Sequence, residues 1–440
     1  MRKTSEEQGY LPFPEPTISG GEGDRVADVV SARSSTFADN MSLPVHRWFR
    51  YSAGFSASWV RDCIKSAKRS HDGEVRVLDP FAGSATVLVE SEEEDVTSIG
   101  VESHPFVARV ARAKITSGVE AEAYRRYMAK LLKRAGQETP EVDGYSELIR
   151  KCYPFDVVAG LDRLRKAWSA TEDPLSELGW VTLAAILRQC SPVGTANWQY
   201  ILPKKSKAKV IEPFSAFKAK SDQIYHDLAS RHRTMKEAKV IQGDARELPG
   251  VPDGWGTLVL TSPPYPNNFD YADATRLEMT FFGEISGWGD LQQAVRKHLV
   301  RSCTQHVSSL VPQTNTLLAS KELDPIRPEI EAVAGKLDKE RFSHGGKKNY
   351  HTMIVAYFLD MARMWNRLRV ATADGAKVCF VIGDSAPYGI YVPVDKWMGE
   401  LAVASGFKSF TFRKTRDRNV KWKNRKHTVP LHEGHLLVEG

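Results

Sequence analysis

"EVRVLDPFAGSATVLVES", residues 74–91, runs from a short apolar strand through a turn of small residues into a helix. Asp79 closes the apolar run, Gly83 permits a tight turn, and Thr86 opens the helical pattern. The pattern repeats at once in "VTSIGVESHPFVARVARAK", residues 96–114. "AKVIQGDAREL" (238–248) and "GTLVLTSPPY" (256–265) resume it as two more strands, and "KVCFVIGDS" (377–385) follows the long helical stretch "YHTMIVAYFLDMARMWNRLRV" (350–370). Strands alternating with helices predict a doubly wound α/β sheet. "FKSFTFRKT" and "EGHLLVEG" read as a closing antiparallel pair.

Around this frame the chain divides unevenly. Residues 1–38 are rich in Pro, Gly, Ser and charge without periodicity, and read as a flexible arm. In "HRWFRYSAGFSASWVRDCIKSA", Ser56 is placed to cap a helix whose inner face carries Trp59, Val60, Cys63 and Ile64. Residues 116–238 interrupt the alternation with mainly helical patterns, "AEAYRRYMAKLLKRAG" and "WVTLAAILRQC" the clearest, and 284–348 read as a polar, irregular region.

With 440 residues, 42% of them hydrophobic and 26% charged, the composition is that of a soluble globular protein. No apolar run approaches the roughly 20 residues that span a bilayer. The start, "MRKTSEEQGYLPFPEP", lacks the apolar segment of a secretion signal, so a cytoplasmic location is expected. The five cysteines are far apart, without metal or redox spacing, and read as buried thiols. His104, His344 and His351 show no metal spacing either, so no metal is expected. A net charge of +7 permits a polyanionic partner. Residues 408–426 hold nine Lys or Arg against one acid, and 202–210 hold four Lys against none. With Trp198, Tyr200 and Trp422 interleaved, these runs lean toward nucleic acid over a merely solvated face.

In a doubly wound sheet, ligands sit beyond the carboxyl ends of the strands. Asp79, Gly83 and Thr86 lie there, and Glu102 follows Gly83 by 19 residues, near the offset at which an acid reaches a ribose diol. Asp244, just beyond another strand, is placed to accept from an adenine amine or to cap the next helix. A long dinucleotide glycine fingerprint and a Gly-Lys-Ser/Thr loop are both missing. In "TSPPY", the prolines fix the backbone and donate nothing, leaving the Ser262 hydroxyl and Pro263 carbonyl as an acceptor pair beside the Tyr265 ring. Two acceptors and an aromatic face suit a flat ring bearing an amine. A nucleoside-bearing cofactor beside such a grip points to methyl transfer from S-adenosylmethionine.

"DPFAGSAT" followed by "TSPPY" resembles the amino-methylating DNA methyltransferases, and the Ser-Pro-Pro-Tyr form resembles their cytosine-N4 branch. The likeness extends through "HRWFRYSAGFS", "CSPVGTANWQY", "PFSAF", "YADATRLEMTFFG", "YFLDMARMW" and "VIGDSAPYGIYVP", covering most of residues 40–440. It implies a Rossmann-like S-adenosylmethionine-dependent methyltransferase sheet with a largely helical insertion. Its core would comprise 39–115 for the cofactor, 239–283 for catalysis and 349–440. The insertion 116–238 would serve target recognition, and 284–348 would contact DNA.

Position by position, the resemblance implies that Ser262 and the Pro263 carbonyl accept from the target amine, Pro264 holds the turn and Tyr265 stacks on a base flipped out of double-stranded DNA. Asp79, Phe81, Gly83 and Thr86 would line the methionine and adenine parts of the cofactor. Glu102 would take its ribose, Asp244 its adenine, and Phe55 would close one wall. The family turn usually has a second glycine where this chain has Ala85, which predicts a backbone pushed away from the cofactor. A cognate restriction endonuclease is an implied partner. Other readings are an adenine-N6 DNA methyltransferase, an RNA exocyclic-amine methyltransferase, and a nucleic-acid-binding protein whose catalytic fold has degenerated.

Overall fold

The computed structural model describes residues 37–51, 54–116, 118–195, 201–207, 209–231, 236–267, 269–418 and 429–440. Most of the expected N-terminal arm, together with Trp198, Tyr200 and Trp422, lies outside them. Seven strands form one mixed sheet: β1 (Arg76–Asp79), β2 (Thr97–Glu102), β5 (Ala238–Gln242), β6 (Gly256–Thr261), β7 (Thr372–Gly383), β8 (Ser409–Arg418) and β9 (Leu431–Glu439). Their order is β5-β2-β1-β6-β7-β9-β8. The first five are parallel, β9 runs antiparallel to β7, and β8 closes the edge antiparallel to β9. The expected closing pair is thus present, with the last strand threaded inside the other.

Successive side chains on a strand face opposite ways. Val77, Leu258, Leu260, Cys379, Val381 and Leu437 enter one apolar core, while Leu78, Val259, Val378, Phe380, Ile382 and Leu436 enter another. Helices therefore cover both faces. Ala57–Ser70, Thr86–Glu93 and Pro105–Lys114 supply the first core; Tyr350–Ala371 and Val394–Ala404 supply the second. The helix Tyr350–Ala371 is apolar almost all round, as a helix enclosed by protein should be. Its Trp365 stacks on Phe380 of β7 with centroids 4.5 Å apart.

Ser56 caps the helix Ala57–Ser70 by accepting from the Trp59 N–H, as its sequence predicts. The segment before it is held by the buried Asp227, which accepts from the Val45 N–H at 3.1 Å, the Trp48 indole at 2.8 Å and the Arg47 guanidinium. That anchor fixes the backbone leading to Tyr51.

Between β2 and β5 stand the helices Ala121–Gln137, Glu147–Cys152, Phe155–Ser169, Ser176–Cys190 and Pro213–Ser230, and a small two-stranded sheet of β3 (Val193–Thr195) and β4 (Ile201–Ser206). Residues 284–348 are more ordered than their composition predicts. Short turns lead into the helix Arg327–Glu340, which buries Ile330, Ala334 and Leu337 at helical spacing. All five cysteines are buried. Among the described residues, no cluster of His, Cys, Asp or Glu has the makings of a metal site, and no helix is long and apolar enough to cross a membrane.

Candidate active site

Strands β1 and β6 are neighbours in the sheet, yet β2 and β5 come between them in the chain. Such a reversal of strand order opens a crevice at the carboxyl ends. Asp79 ends β1 there, buried, its Oδ1 accepting from the Phe81 N–H at 3.0 Å and from the Thr261 hydroxyl of β6 at 2.6 Å. The strand that carries the Ser-Pro-Pro-Tyr turn is thereby tied to the strand that carries the glycine turn. Among the described residues, nothing donates to Asp79 Oδ2. A buried acceptor left so costs about 1–3 kcal/mol, a cost that a ligand's N–H would remove.

Glu102 ends β2 beside it. Its Oε2 accepts from the Gly83 N–H at 2.8 Å and its Oε1 from the His104 N–H at 2.7 Å. Burial pushes the Asp79 carboxyl up to about 7, with the Thr261 hydroxyl and Phe81 N–H pulling against it. Burial likewise pushes Glu102 up to about 7 against its backbone donors. Folded-state values above the unfolded ones mean that the folded protein keeps protons the unfolded chain has released. The stability these groups contribute is complete below about pH 4, declines between about 4 and 7, and stays lost above that. Urea midpoints measured from pH 4 to 8 should therefore fall with pH, and Asp79→Asn should flatten the fall.

Gly83 takes φ +51°, a conformation that favours glycine. Phe81, half-buried, packs toward the core that holds the helix Tyr350–Ala371, and Thr86, buried, begins the helix Thr86–Glu93. Ala85 precedes that helix at φ +68°, ψ 33°, a conformation that favours glycine, and its methyl is buried in the first core. The backbone keeps the left-handed form despite the Cβ, and the methyl contributes to packing. Left-handed strain of about 1–2 kcal/mol is offset by methyl burial of about 0.8 kcal/mol and by a less flexible unfolded chain. Ala85→Gly should shift stability by no more than about 1 kcal/mol, measured by denaturant titration.

In the proline turn, Ser262 Oγ donates to the Val381 carbonyl of β7 at 3.1 Å. Its proton is committed, so toward a ligand its lone pairs can only accept. Pro263 is buried, and among the described residues nothing donates to its carbonyl. Pro264 and Tyr265 are half-buried. The Arg418 guanidinium lies over the Tyr265 ring, 5.1 Å from its centroid, and donates to the Asp384 carbonyl at 2.8 Å. Gly383 makes this possible: a Cβ there would fall 2.5 Å from Arg418 Nη1 and 3.1 Å from Tyr265 Cε2.

Two of the expected residues sit differently. Asp244 lies beyond β5 with both carboxylate oxygens engaged by the Arg246 guanidinium, and Oδ1 also accepts the Arg246 N–H at 2.9 Å. It forms a turn, not a helix cap. Phe55 is buried edge-on against Trp59, while the ring that lies against Gly83 is Tyr51, 3.6 Å from where a Cβ would be. Burial raises the Tyr51 phenol well above its ordinary value, and Glu102 and Tyr271 add to the effect. Tyr51, Tyr271, Gly383 and Arg418 thus join the site although no local pattern marks them in the sequence. Tyr51, Tyr271 and Gly383 do lie within the stretches that carry the resemblance, and that is the signal by which they could have been found.

The basic runs divide. Lys204 and Lys205 of the first, and residues 419–426 of the second, fall outside what is described of side chains. In β8, Arg416 pairs with Glu433, Lys414 with Asp417, and Arg418 with the Tyr265 ring.

No family model matches the chain. It is similar to the Type II methyltransferase M.AvaI of Nostoc sp. (strain PCC 7120), 22% identical over 416 residues that cover 87% of this chain and 83% of that protein. The M.AvaI of Anabaena variabilis gives the same figures. The Type II methyltransferase M.BsoBI of Geobacillus stearothermophilus is 24% identical over 431 residues, covering 85% and 80%.

Proposed function

We propose that this protein is an S-adenosylmethionine-dependent DNA methyltransferase that modifies the exocyclic N4 amine of cytosine within a specific sequence, in a restriction-modification setting. The observation that carries the reading is Ser262: a hydroxyl held as an acceptor by Val381, one residue beyond the Thr261 hydroxyl bonded to Asp79. Similarity over most of the chain to Type II methyltransferases supports the reaction class. The seven-stranded order, with its crevice between β1 and β6, suits the Rossmann-like form.

The residues present fit the cofactor. When bound, S-adenosylmethionine supplies a methyl group activated by a sulfonium. Asp79 Oδ2, which lacks a donor among the described residues, suits the cofactor's amine; Glu102 suits the ribose diol; Gly83 allows close approach; Phe81, Thr86 and Tyr51 belong to the surrounding wall. Asp244 reaches the adenine amine only with lone pairs that Arg246 leaves.

The rest is done at the target base. A cytosine amino nitrogen is a weak nucleophile because its lone pair is delocalised into the ring. Ser262 Oγ and the Pro263 carbonyl accept its two N–H groups and favour a more tetrahedral nitrogen, its lone pair free to attack. The methyl–sulfur bond would break as the nitrogen–carbon bond forms, and the surplus amine proton would pass to water. Tyr265 takes the face of the extruded base, offsetting part of the few kcal/mol of unstacking, while Arg418 steadies the ring from its other face. No covalent enzyme intermediate is required.

Incubation with labelled S-adenosylmethionine and mixed-sequence duplex DNA, followed by digestion to nucleosides, tests the reading. Label in N4-methylcytosine is expected. Label in N6-methyladenine would overturn the choice of base, and unlabelled DNA would overturn the activity.

A further inference from the structure

Beside the proline turn rises a rim that the proposed reaction has not used. Ser385, buried, donates from Oγ to the Pro266 carbonyl at 2.7 Å and so fastens the loop after β7 to the catalytic turn. Three residues further on, Tyr388 takes φ +53°, ψ 21°, a conformation costly for a bulky residue. Strain at such a position persists only when its surroundings hold it. His344 does so, its ring stacked on Tyr388 at 4.2 Å with 3° between planes, and Tyr350 meets the same ring edge-on at 4.8 Å.

The segment that supplies His344 and Tyr350 also carries the rim's charge. Phe342 is 67% exposed, far more than core packing would allow, with the Arg341 guanidinium 4.7 Å from its centroid. Lys347 and Lys348 are exposed, and among the described residues neither forms an ion pair with a carboxylate. Between residues 341 and 350 there is no acid. Arg341 pairs with Asp338 and His344 with Glu340, so the charge the rim offers outward is that of Lys347 and Lys348. Two such lysines beside the open Phe342 ring match the phosphates and bases of a nucleic acid.

We infer that the rim formed by residues 341–350 and 387–391 is the surface that grips the DNA flanking the target base, Lys347 and Lys348 on its phosphates and Phe342 against an exposed base or sugar. The inference rests on the proposed methyl transfer to DNA. It places the grip on this rim and not on the basic edge strand β8, whose charges are largely satisfied within the protein. Continuity with the catalytic turn through Ser385 lets strand binding and base capture reach the same structural unit.

The test uses the full-length protein and a duplex oligonucleotide that the wild type methylates. In Lys347→Ala/Lys348→Ala, the slope of log affinity against log salt should become shallower by about 1.8, which is 0.9 for each phosphate that is no longer neutralised. Phe342→Ala should raise KM for DNA about fivefold or more, with kcat and cofactor affinity near wild type. Such exposed positions leave the fold intact, which an unchanged melting temperature verifies. Unaltered salt slope and KM in both variants would overturn the rim while leaving the methyltransferase reading in place. A wild type that methylates no DNA would overturn that reading itself.

Discussion

Ser262→Ala should turn over about 10²- to 10³-fold more slowly than the wild type while binding S-adenosylmethionine with affinity unchanged within about twofold. The size follows from losing one positioned hydrogen-bond partner at the reacting atom, about 3–4 kcal/mol in the barrier when an oxyanion-hole donor is removed elsewhere. Here the partner is an acceptor, and Val381 makes it one by taking the hydroxyl's proton. Alanine removes that acceptor and leaves the Val381 carbonyl at the end of β7 without its donor. The loss belongs in kcat because the amine's hydrogens are gripped most tightly as the nitrogen becomes tetrahedral. Single-turnover rates with saturating DNA, paired with calorimetry for the cofactor, separate the two effects. Wild-type turnover in Ser262→Ala would reduce the Pro-Pro pair to a means of turning the chain.

Glu102→Ala should weaken cofactor binding about 10- to 150-fold, equivalent to about 1.5–3 kcal/mol for hydrogen bonds to a charged acceptor. The same carboxylate receives the Gly83 and His104 N–H groups, so alanine also leaves both of these backbone donors at the mouths of β1 and β2 without their acceptor. Glu102→Gln separates the roles. Its remaining carbonyl oxygen can satisfy one of the two N–H groups, so it should recover most of the stability lost in alanine and only part of the affinity. Calorimetric titration of both variants beside urea denaturation checks this. If Glu102→Ala bound the cofactor like the wild type, the ribose would lie elsewhere.

What can be read from sequence is local. The glycine turn, the acid at the end of β2 and the proline turn each occupy a few contiguous residues, and their backbone demands are written in Gly, Pro and small side chains. Alternating apolar runs reveal the parallel strands for the same reason. The roles of Tyr51, Gly383 and Arg418 are not legible from local pattern, because each matters through a neighbour distant in the chain. Tyr51 and Gly383 stand at least in stretches of likeness, whereas Arg418 is a member of a basic run until β8 brings it over Tyr265. Asp244 shows the reverse error. Its position after a strand suggests a free acceptor, but Arg246, two residues on, folds back onto it. The helix Arg327–Glu340 is hidden in its sequence since its buried stripe is narrow, only Ile330, Ala334 and Leu337 among charged residues. β3 and β4 are too short and too polar for a period of two to stand out.

The bond between the Thr261 hydroxyl and Asp79 joins positions 182 residues apart, and it lies at the centre of the sheet. A chain emerging from the ribosome can pair β1, β2 and β5 early, yet β1 keeps one bare edge until Gly256–Thr261 arrives. A bare apolar strand edge invites pairing with other chains, and long-range pairing is slow to form. The strand that completes the candidate crevice covers that edge but bares its own, which waits for Thr372–Gly383 of β7. A fragment ending before residue 256 would leave β1 bare, and one ending before residue 372 would leave the edge of β6 bare in its place.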